Sequence, residues 1–318
     1  MHDSPFLNAG MDQIKAQASR IRLSKDGPDC SRIVAGVMKW GSWGKGLSTE
    51  EMHRLIDRCL ALGISTFDHA DIYGGYSAEA EFGRALSRVA GRRKMIQLVS
   101  KCGIRLKSKN RPSHKIKSYD TSAEHIIRSV EESLKNLQTD YLDLFLIHRP
   151  SPLMDADEIA SAFHRLKIAG KVLHFGVSNF TPAQFALLND RFPLVTNQIQ
   201  VSALHLEPFL DGSLDQAQQH RISPMAWSPV GGAKMFDEAG NERISRLRAK
   251  VQEIAGHYRV EEEQVLLAFL LRHPSKIIPV MGTTRVDRLQ AAVEAEQVVL
   301  SRESWFEIWE ASVGQEVP

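Results

Sequence analysis

"LDLFLIHRP", Leu142 to Pro150, is an apolar run broken only by Asp143 and closed by a histidine. A half-buried strand alternates apolar and polar residues, whereas a strand covered on both faces, as in a parallel sheet, reads as continuous apolarity. Seven further runs of this kind lie along the chain: "RIVAGVM" from Arg32, "ISTFD" from Ile64, "MIQLVSK" from Met95, "VLHFGVS" from Val172, "LVTNQIQ" from Leu194, "ISPMAWS" from Ile222 and "KIIPVMG" from Lys276. Between them lie segments with helical spacing, several opened by a capping box, in which a Ser or Thr and an acid or amide three residues later satisfy each other's orphan backbone donors. Ser48 pairs with Glu51 ahead of Met52, Leu55, Ile56, Cys59 and Leu60, a stripe ending at Gly63. Thr121 is expected to pair with Glu124, and Thr181 with Gln184, with Pro182 at the first helical position, where a missing N–H is harmless.

Eight strands separated by helices predict an α/β fold, a closed (β/α)₈ barrel rather than an open doubly wound sheet. "IRLSKDGPDCSRIV", Ile21 to Val34, adds an N-terminal β-hairpin around its Lys-Asp-Gly-Pro-Asp turn. "ESWFEIWEA", Glu303 to Ala311, adds a C-terminal extra helix with Trp305, Phe306 and Trp309 placed for core contact. With 318 residues, no low-complexity linker and no repeat beyond the alternation, the chain reads as one domain over residues 1–318, preceded by a polar leader at 1–19.

Composition narrows the function. At 43% hydrophobic, 25% charged and a formal charge of +2, the chain reads as soluble and gives no footprint for nucleic acid. Its three cysteines, Cys30, Cys59 and Cys102, form neither a disulfide framework nor a zinc spacing, and no histidine pair has a metal-binding spacing, so a reducing cytoplasm and no metal are expected. "MHDSPFLNAGMDQIKAQ" lacks a signal-peptide core, and the longest apolar run, Val265 to Leu271, is too short to cross a bilayer.

In such a barrel the chemistry sits at the C-terminal ends of the strands. The polar or aromatic groups there are Asp68, Lys101, His148, Ser178 with Asn179, Gln198, Trp227 with Ser228, and Gly282 with Thr283. Five residues beyond Asp68, in "FDHADIYGGYSAEAEFG", stands Tyr73. A free phenol titrates near pH 10, too high for easy proton exchange at neutral pH. A nearby ammonium would lower that value, a carboxylate would hold the ammonium, and a neutral imidazole would orient a carbonyl oxygen. Asp68, Tyr73, Lys101 and His148 together describe a device that protonates a carbonyl oxygen as it becomes an alkoxide.

These motifs, "DHADIYG", "SKCG" and "LIHRP", with the barrel pattern around them, resemble the aldo-keto reductase superfamily and its bacterial YdhF-like oxidoreductase branch. The resemblance runs from the hairpin to the C-terminus and places the family's catalytic tetrad on Asp68, Tyr73, Lys101 and His148. Hydride must come from a cofactor, since no side chain donates it. The chain carries no G-x-G-x-x-G, and "GSWGKGLS" at Gly41 fails the phosphate-loop spacing and reads as a plain loop. The family instead binds NADPH extended across the barrel mouth. The resemblance implies that Ser178, Asn179 and Gln198 hold the nicotinamide carboxamide, that Trp227 stacks on its ring, and that Met38 also contacts the cofactor. It implies that Ser228, Val230, Gly231, Gly232 and Lys234 in "SPVGGAKMF" cover the diphosphate. Gly282, Thr283, Thr284, Arg285 and Arg288 in "GTTRVDRLQ" would receive the 2′-phosphate at a helix start. Where relatives carry Glu-Asn to grip the adenine, this chain has Ala291 and Ala292, which leaves room for NADH as a lesser cofactor.

Trp40 and Trp43, after the first barrel strand, are candidates for the substrate pocket or for packing. The Cys102–Asp120 loop carries six Lys or Arg, either a solvated face or an attraction for anions. The expected activity is reduction of an aldehyde or ketone, a small-molecule carbonyl, by hydride transfer from NADP(H) with Tyr73 as general acid. The alternative is a nicotinamide-binding regulatory or redox-sensing module with little turnover.

Overall fold

The computed structural model describes residues 16–232, 235 and 241–317. Strands β1 (Arg20–Arg22) and β2 (Asp29–Ser31) pair antiparallel as the expected hairpin. The chain then alternates: β3 (Val34–Gly36), α1 (Thr49–Ala61), β4 (Thr66–Asp68), α2 (Ala78–Leu86) and β5 (Gln97–Cys102). A small antiparallel ribbon, β6 (Ile104–Arg105) with β7 (Ser118–Tyr119), fills the loop before α3 (Ala123–Leu137). There follow β8 (Leu142–Ile147), α4 (Ala156–Ile168), β9 (Val172–Ser178), α5 (Pro182–Asn189), β10 (Asn197–Gln200), α6 (Ser213–His220) and β11 (Met225–Trp227). Two helices, α7 (Glu242–Tyr258) and α8 (Glu262–Leu271), precede β12 (Ile278–Met281), and α9 (Val286–Glu294) and α10 (Arg302–Val313) complete the fold.

Strands β3, β4, β5, β8, β9, β10, β11 and β12 close into a parallel barrel in that order, each expected apolar run supplying one strand. Side chains alternate across a strand, so the barrel has two apolar layers. Val34, Val99, Leu144, Leu146, Met225, Ile278 and Val280 fill the interior. Leu23 and Cys30 of the hairpin join that cluster and close its N-terminal end, where Ser223 N–H donates to the Leu23 carbonyl at 2.7 Å. The intervening residues, among them Phe67, Leu98, Phe145 and Phe175, pack outward against the helices. Burying each such side chain is worth about 1.5–3 kcal/mol, so both faces of every strand contribute.

The capping boxes at Ser48–Glu51 and Thr181–Gln184 form as expected. The third does not: Ser122, not Thr121, caps α3 by accepting from His125 N–H, while Asp120 accepts from the Ser122 hydroxyl at 2.7 Å. Thr121 is buried, and on the helix Ile126 is fully buried while Ile127 is half-buried. On α10, Trp305 stacks on Phe269 at 4.6 Å and on Trp309 at 5.7 Å, while Phe306 stays exposed.

Candidate active site

The period-two alternation that fills the interior also builds the site. Continuing Val99 by two residues gives Lys101, continuing Leu144 and Leu146 gives His148, and continuing Met225 gives Trp227. Asp68 and Gln198 likewise stand out of phase with the outward-packed Phe67 and Ile199. His69 has the opposite phase: it turns outward against the Phe82 ring at 4.4 Å, wholly buried, with both ring nitrogens unpartnered among the described residues. Burial, with Lys101 adding, drops the His69 pKa to about 3, so it is a neutral core residue.

Lys101 is completely buried, and its Nζ donates to Asp68 Oδ2 at 2.8 Å, to the His69 carbonyl at 2.6 Å and to the Tyr73 hydroxyl at 3.4 Å. Gln198 Nε2 donates to the other carboxylate oxygen of Asp68 at 2.9 Å. Tyr73 comes from a single 3₁₀ turn, Tyr73–Gly75, whose Gly74 (φ 62°) and Gly75 (φ 65°) adopt the left-handed backbone that glycine accepts without strain. The Tyr73 ring meets His148 edge-on at 6.0 Å and tilts toward Trp43 at 6.3 Å. His148 Nδ1 is buried without a partner among the described residues.

Burial opposes charge on all three groups around Asp68. For Lys101 the opposition loses: Asp68 and Tyr73 raise its pKa above the usual lysine value. His148 goes the other way, held well below 6.5 by burial and then by Lys101 and Arg149, so its imidazole is neutral. Tyr73 departs from expectation. Lys101 does pull it down, but burial, reinforced by the Asp68 charge, outweighs that pull and leaves the phenol above its usual value of 10.0. The phenol is therefore held protonated. Such a set can release a proton from Tyr73 to an atom near His148, because the ammonium 3.4 Å away stabilises the phenolate left behind.

The aldo/keto reductase family model matches residues 32–312. The chain belongs to the aldo/keto reductase family. It is 47% identical over 302 residues to "Oxidoreductase YdhF" of Escherichia coli, covering 94% of this chain and 99% of that one. It is 44% identical over 300 residues to a "6-dehydroglucose reductase" of Agrobacterium fabrum, again covering 94% and 99%. Among solved structures, the holo form of the aldo-keto reductase AKR11C1 from Bacillus halodurans superposes with a TM-score of 0.77 at 25% identity, covering 93% of this chain and 96% of that one. This aldo/keto reductase is accordingly an NAD(P)H-dependent oxidoreductase of small-molecule carbonyls.

Of the residues expected along the cofactor, those on β9 to β11 converge. Ser178 Oγ donates to the Gln198 carbonyl at 2.8 Å. Asn179, a non-glycine residue at φ 61°, donates from Nδ2 to Ser178 Oγ at 2.7 Å and to the His148 carbonyl at 3.3 Å, and its Oδ1 accepts from Trp227 Nε1 at 2.9 Å. Ser228 (φ 52°), Gly231 (φ 79°) and Gly232 (φ 66°) form a left-handed turn closed by Gly231 N–H to the Ser228 carbonyl at 3.0 Å, with Val230 buried. Among the described residues, a Cβ on Gly232 would meet only Ser228 Oγ at 3.9 Å, and one on Gly282 nothing within 4 Å, so backbone stands open beyond both strands. An extended dinucleotide fits residues so disposed. Lys234 lies outside the described residues.

Thr283 is buried and accepts from Arg285 N–H at 3.1 Å, and Thr284 is half-buried. Arg285 pairs with Asp287, and Arg288 grips Glu263 through two bonds of 2.8 and 2.9 Å. Ala292 is wholly buried on the core side of α9, whereas Ala291 is half-buried. Met38 and Trp43 are exposed beyond β3. Trp40 corrects one expectation: it is buried between Phe67 and Phe82, 6.0 Å from each ring, and so is core rather than pocket wall. Sequence reasoning passed over Arg149, whose guanidinium lies 5.6 Å above the Trp227 ring, and Glu263. An arginine directly after a strand-end histidine was the available signal for the first.

Proposed function

We propose that this enzyme reduces aldehydes or ketones to alcohols, with NADPH preferred over NADH and Tyr73 as the general acid. One observation carries the reading: a fully buried lysine bridges the carboxylate of Asp68 at 2.8 Å and the hydroxyl of Tyr73 at 3.4 Å. A buried ammonium between those two groups has little structural value relative to apolar packing, but it stabilises a phenolate as it forms. The bound nicotinamide supplies the hydride. Neutral His148 offers a ring N–H to the carbonyl oxygen and so sets it within reach of the Tyr73 proton. Asp68 keeps Lys101 charged, and Gln198 fixes Asp68. Ser178, Asn179 and Trp227 would hold the carboxamide and ring, Ser228 to Gly232 the diphosphate, and Thr283, Arg285 and Arg288 the 2′-phosphate. The free, buried thiols Cys30, Cys59 and Cys102 accord with a reducing cytoplasm.

The test is oxidation of NADPH with 4-nitrobenzaldehyde, followed by nicotinamide absorbance and repeated with NADH. Turnover with a kcat/KM advantage for NADPH supports the reading. Tight cofactor binding without turnover of any aromatic, aliphatic or sugar aldehyde contradicts it.

A further inference from the structure

Arg149 is half-buried at the barrel mouth, yet among the described residues its guanidinium donates no hydrogen bond and meets no carboxylate. Other half-buried arginines are matched. Arg93 pairs with Asp143 at 2.8 Å, Arg288 with Glu263 at 2.8 Å, and Arg32 donates to backbone carbonyls, including that of Ile277. A guanidinium has five donors and does not deprotonate, so an unmatched one beside a reaction site is prepared for an anion.

Its position is fixed. The Arg149 Cζ lies over the Trp227 ring at 5.6 Å, Trp227 is tethered to Asn179 at 2.9 Å, and Asn179 is tethered to the carbonyl of His148 at 3.3 Å, the residue before Arg149. That closed circuit holds the charge near the imidazole, and Arg149 contributes to lowering the His148 pKa. With Lys101 it makes the ground around His148 positive. A contact with the ring face takes up none of the guanidinium N–H donors in a hydrogen bond.

We infer that this reductase acts on carbonyl compounds that carry a carboxylate or phosphate, which Arg149 receives while the carbonyl oxygen lies between His148 and Tyr73. The inference rests on the carbonyl-reductase reading above and names the substrate class within it.

The experiment pairs 4-(hydroxymethyl)benzoate with its methyl ester, alcohols that differ in one negative charge. Binding to NADP⁺-loaded enzyme is followed by tryptophan fluorescence for wild type, Arg149→Gln and Arg149→Lys. A charge-assisted contact predicts at least about tenfold tighter binding of the acid by wild type, a ratio near one in Arg149→Gln, and partial recovery in Arg149→Lys. Equal binding of acid and ester by wild type overturns the inference. So does an equal loss for both in Arg149→Gln, which would make Arg149 a prop for Trp227. A rise in the NADP⁺ dissociation constant as large as the loss for the acid also overturns it, by assigning the anion to the cofactor. Reduction of methyl 4-formylbenzoate reports separately on the reductase reading, which can fail while the charge preference stands.

Discussion

Gln198 donates its side-chain amide to Asp68 at 2.9 Å, on the carboxylate oxygen opposite the one that Lys101 takes. Side chains from β10 and β5 thus clamp one carboxylate at the end of β4. Gln198 was expected to face the nicotinamide carboxamide, and its Nε2 is spent inward. Gln198→Leu should strip a donor from a buried carboxylate and cost about 1–3 kcal/mol of stability, measured by urea unfolding. A change within about 0.5 kcal/mol would mean that Asp68 does not depend on it.

Removing either partner of the Asp68–Lys101 pair leaves a buried charge unmatched. Lys101→Met and Asp68→Asn should each lose about 3–5 kcal/mol and most turnover, while the double variant should lose much less than the sum. Additive losses in a double-mutant cycle would show that the two side chains do not act as a pair.

His69 sets a pH dependence of stability. Its folded pKa of about 3 lies below the unfolded value of 6.5, so the unfolded chain binds the extra proton, and stability falls as pH drops from about 6.5 toward 3. His148 adds a contribution of the same sign. His69 contributes about 1.4 kcal/mol per pH unit inside that window. His69→Leu should flatten the difference in unfolding free energy between pH 6 and pH 4.5. An unchanged slope would mean that His69 is protonated in the folded protein.

Glu263 competes for the arginine proposed to meet the 2′-phosphate. Its two bonds to Arg288, at 2.8 and 2.9 Å, take the Nε–Nη2 edge of the guanidinium, so a phosphate approaching that edge competes with a carboxylate. Glu263→Gln should tighten binding of 2′-phospho-AMP several-fold while leaving AMP unaffected, as read by calorimetry. Equal changes for the two nucleotides would remove Arg288 from phosphate recognition.

The barrel was legible because its strands are buried on both faces: "LDLFLIH" and "MIQLVSK" could be read as strands by continuous apolarity alone. The strand-end set was legible for the same reason, since alternation carries Leu146 on to His148 and Val99 on to Lys101. What resisted reading were choices between adjacent alternatives. Thr121 and Ser122 are both good caps, and Asp120 decides between them by engaging Ser122. Trp40 and Trp43 both follow β3, yet the aromatic cluster of Phe67 and Phe82 takes one into the core. The balance of burial against Lys101 at Tyr73, and the partners of Arg149 and Glu263, depend on residues far apart in the chain and leave no local pattern.

The most direct measurement compares wild type with Tyr73→Phe, following both NADPH-dependent reduction of 4-nitrobenzaldehyde and NADPH binding by fluorescence. Loss of the phenolic proton should lower kcat by about 10²–10⁴-fold while the NADPH dissociation constant stays within about twofold, because the ring and its contacts with Trp43 and His148 remain. Turnover within a few-fold of wild type, or a parallel collapse of cofactor binding, would contradict Tyr73 as the proton donor.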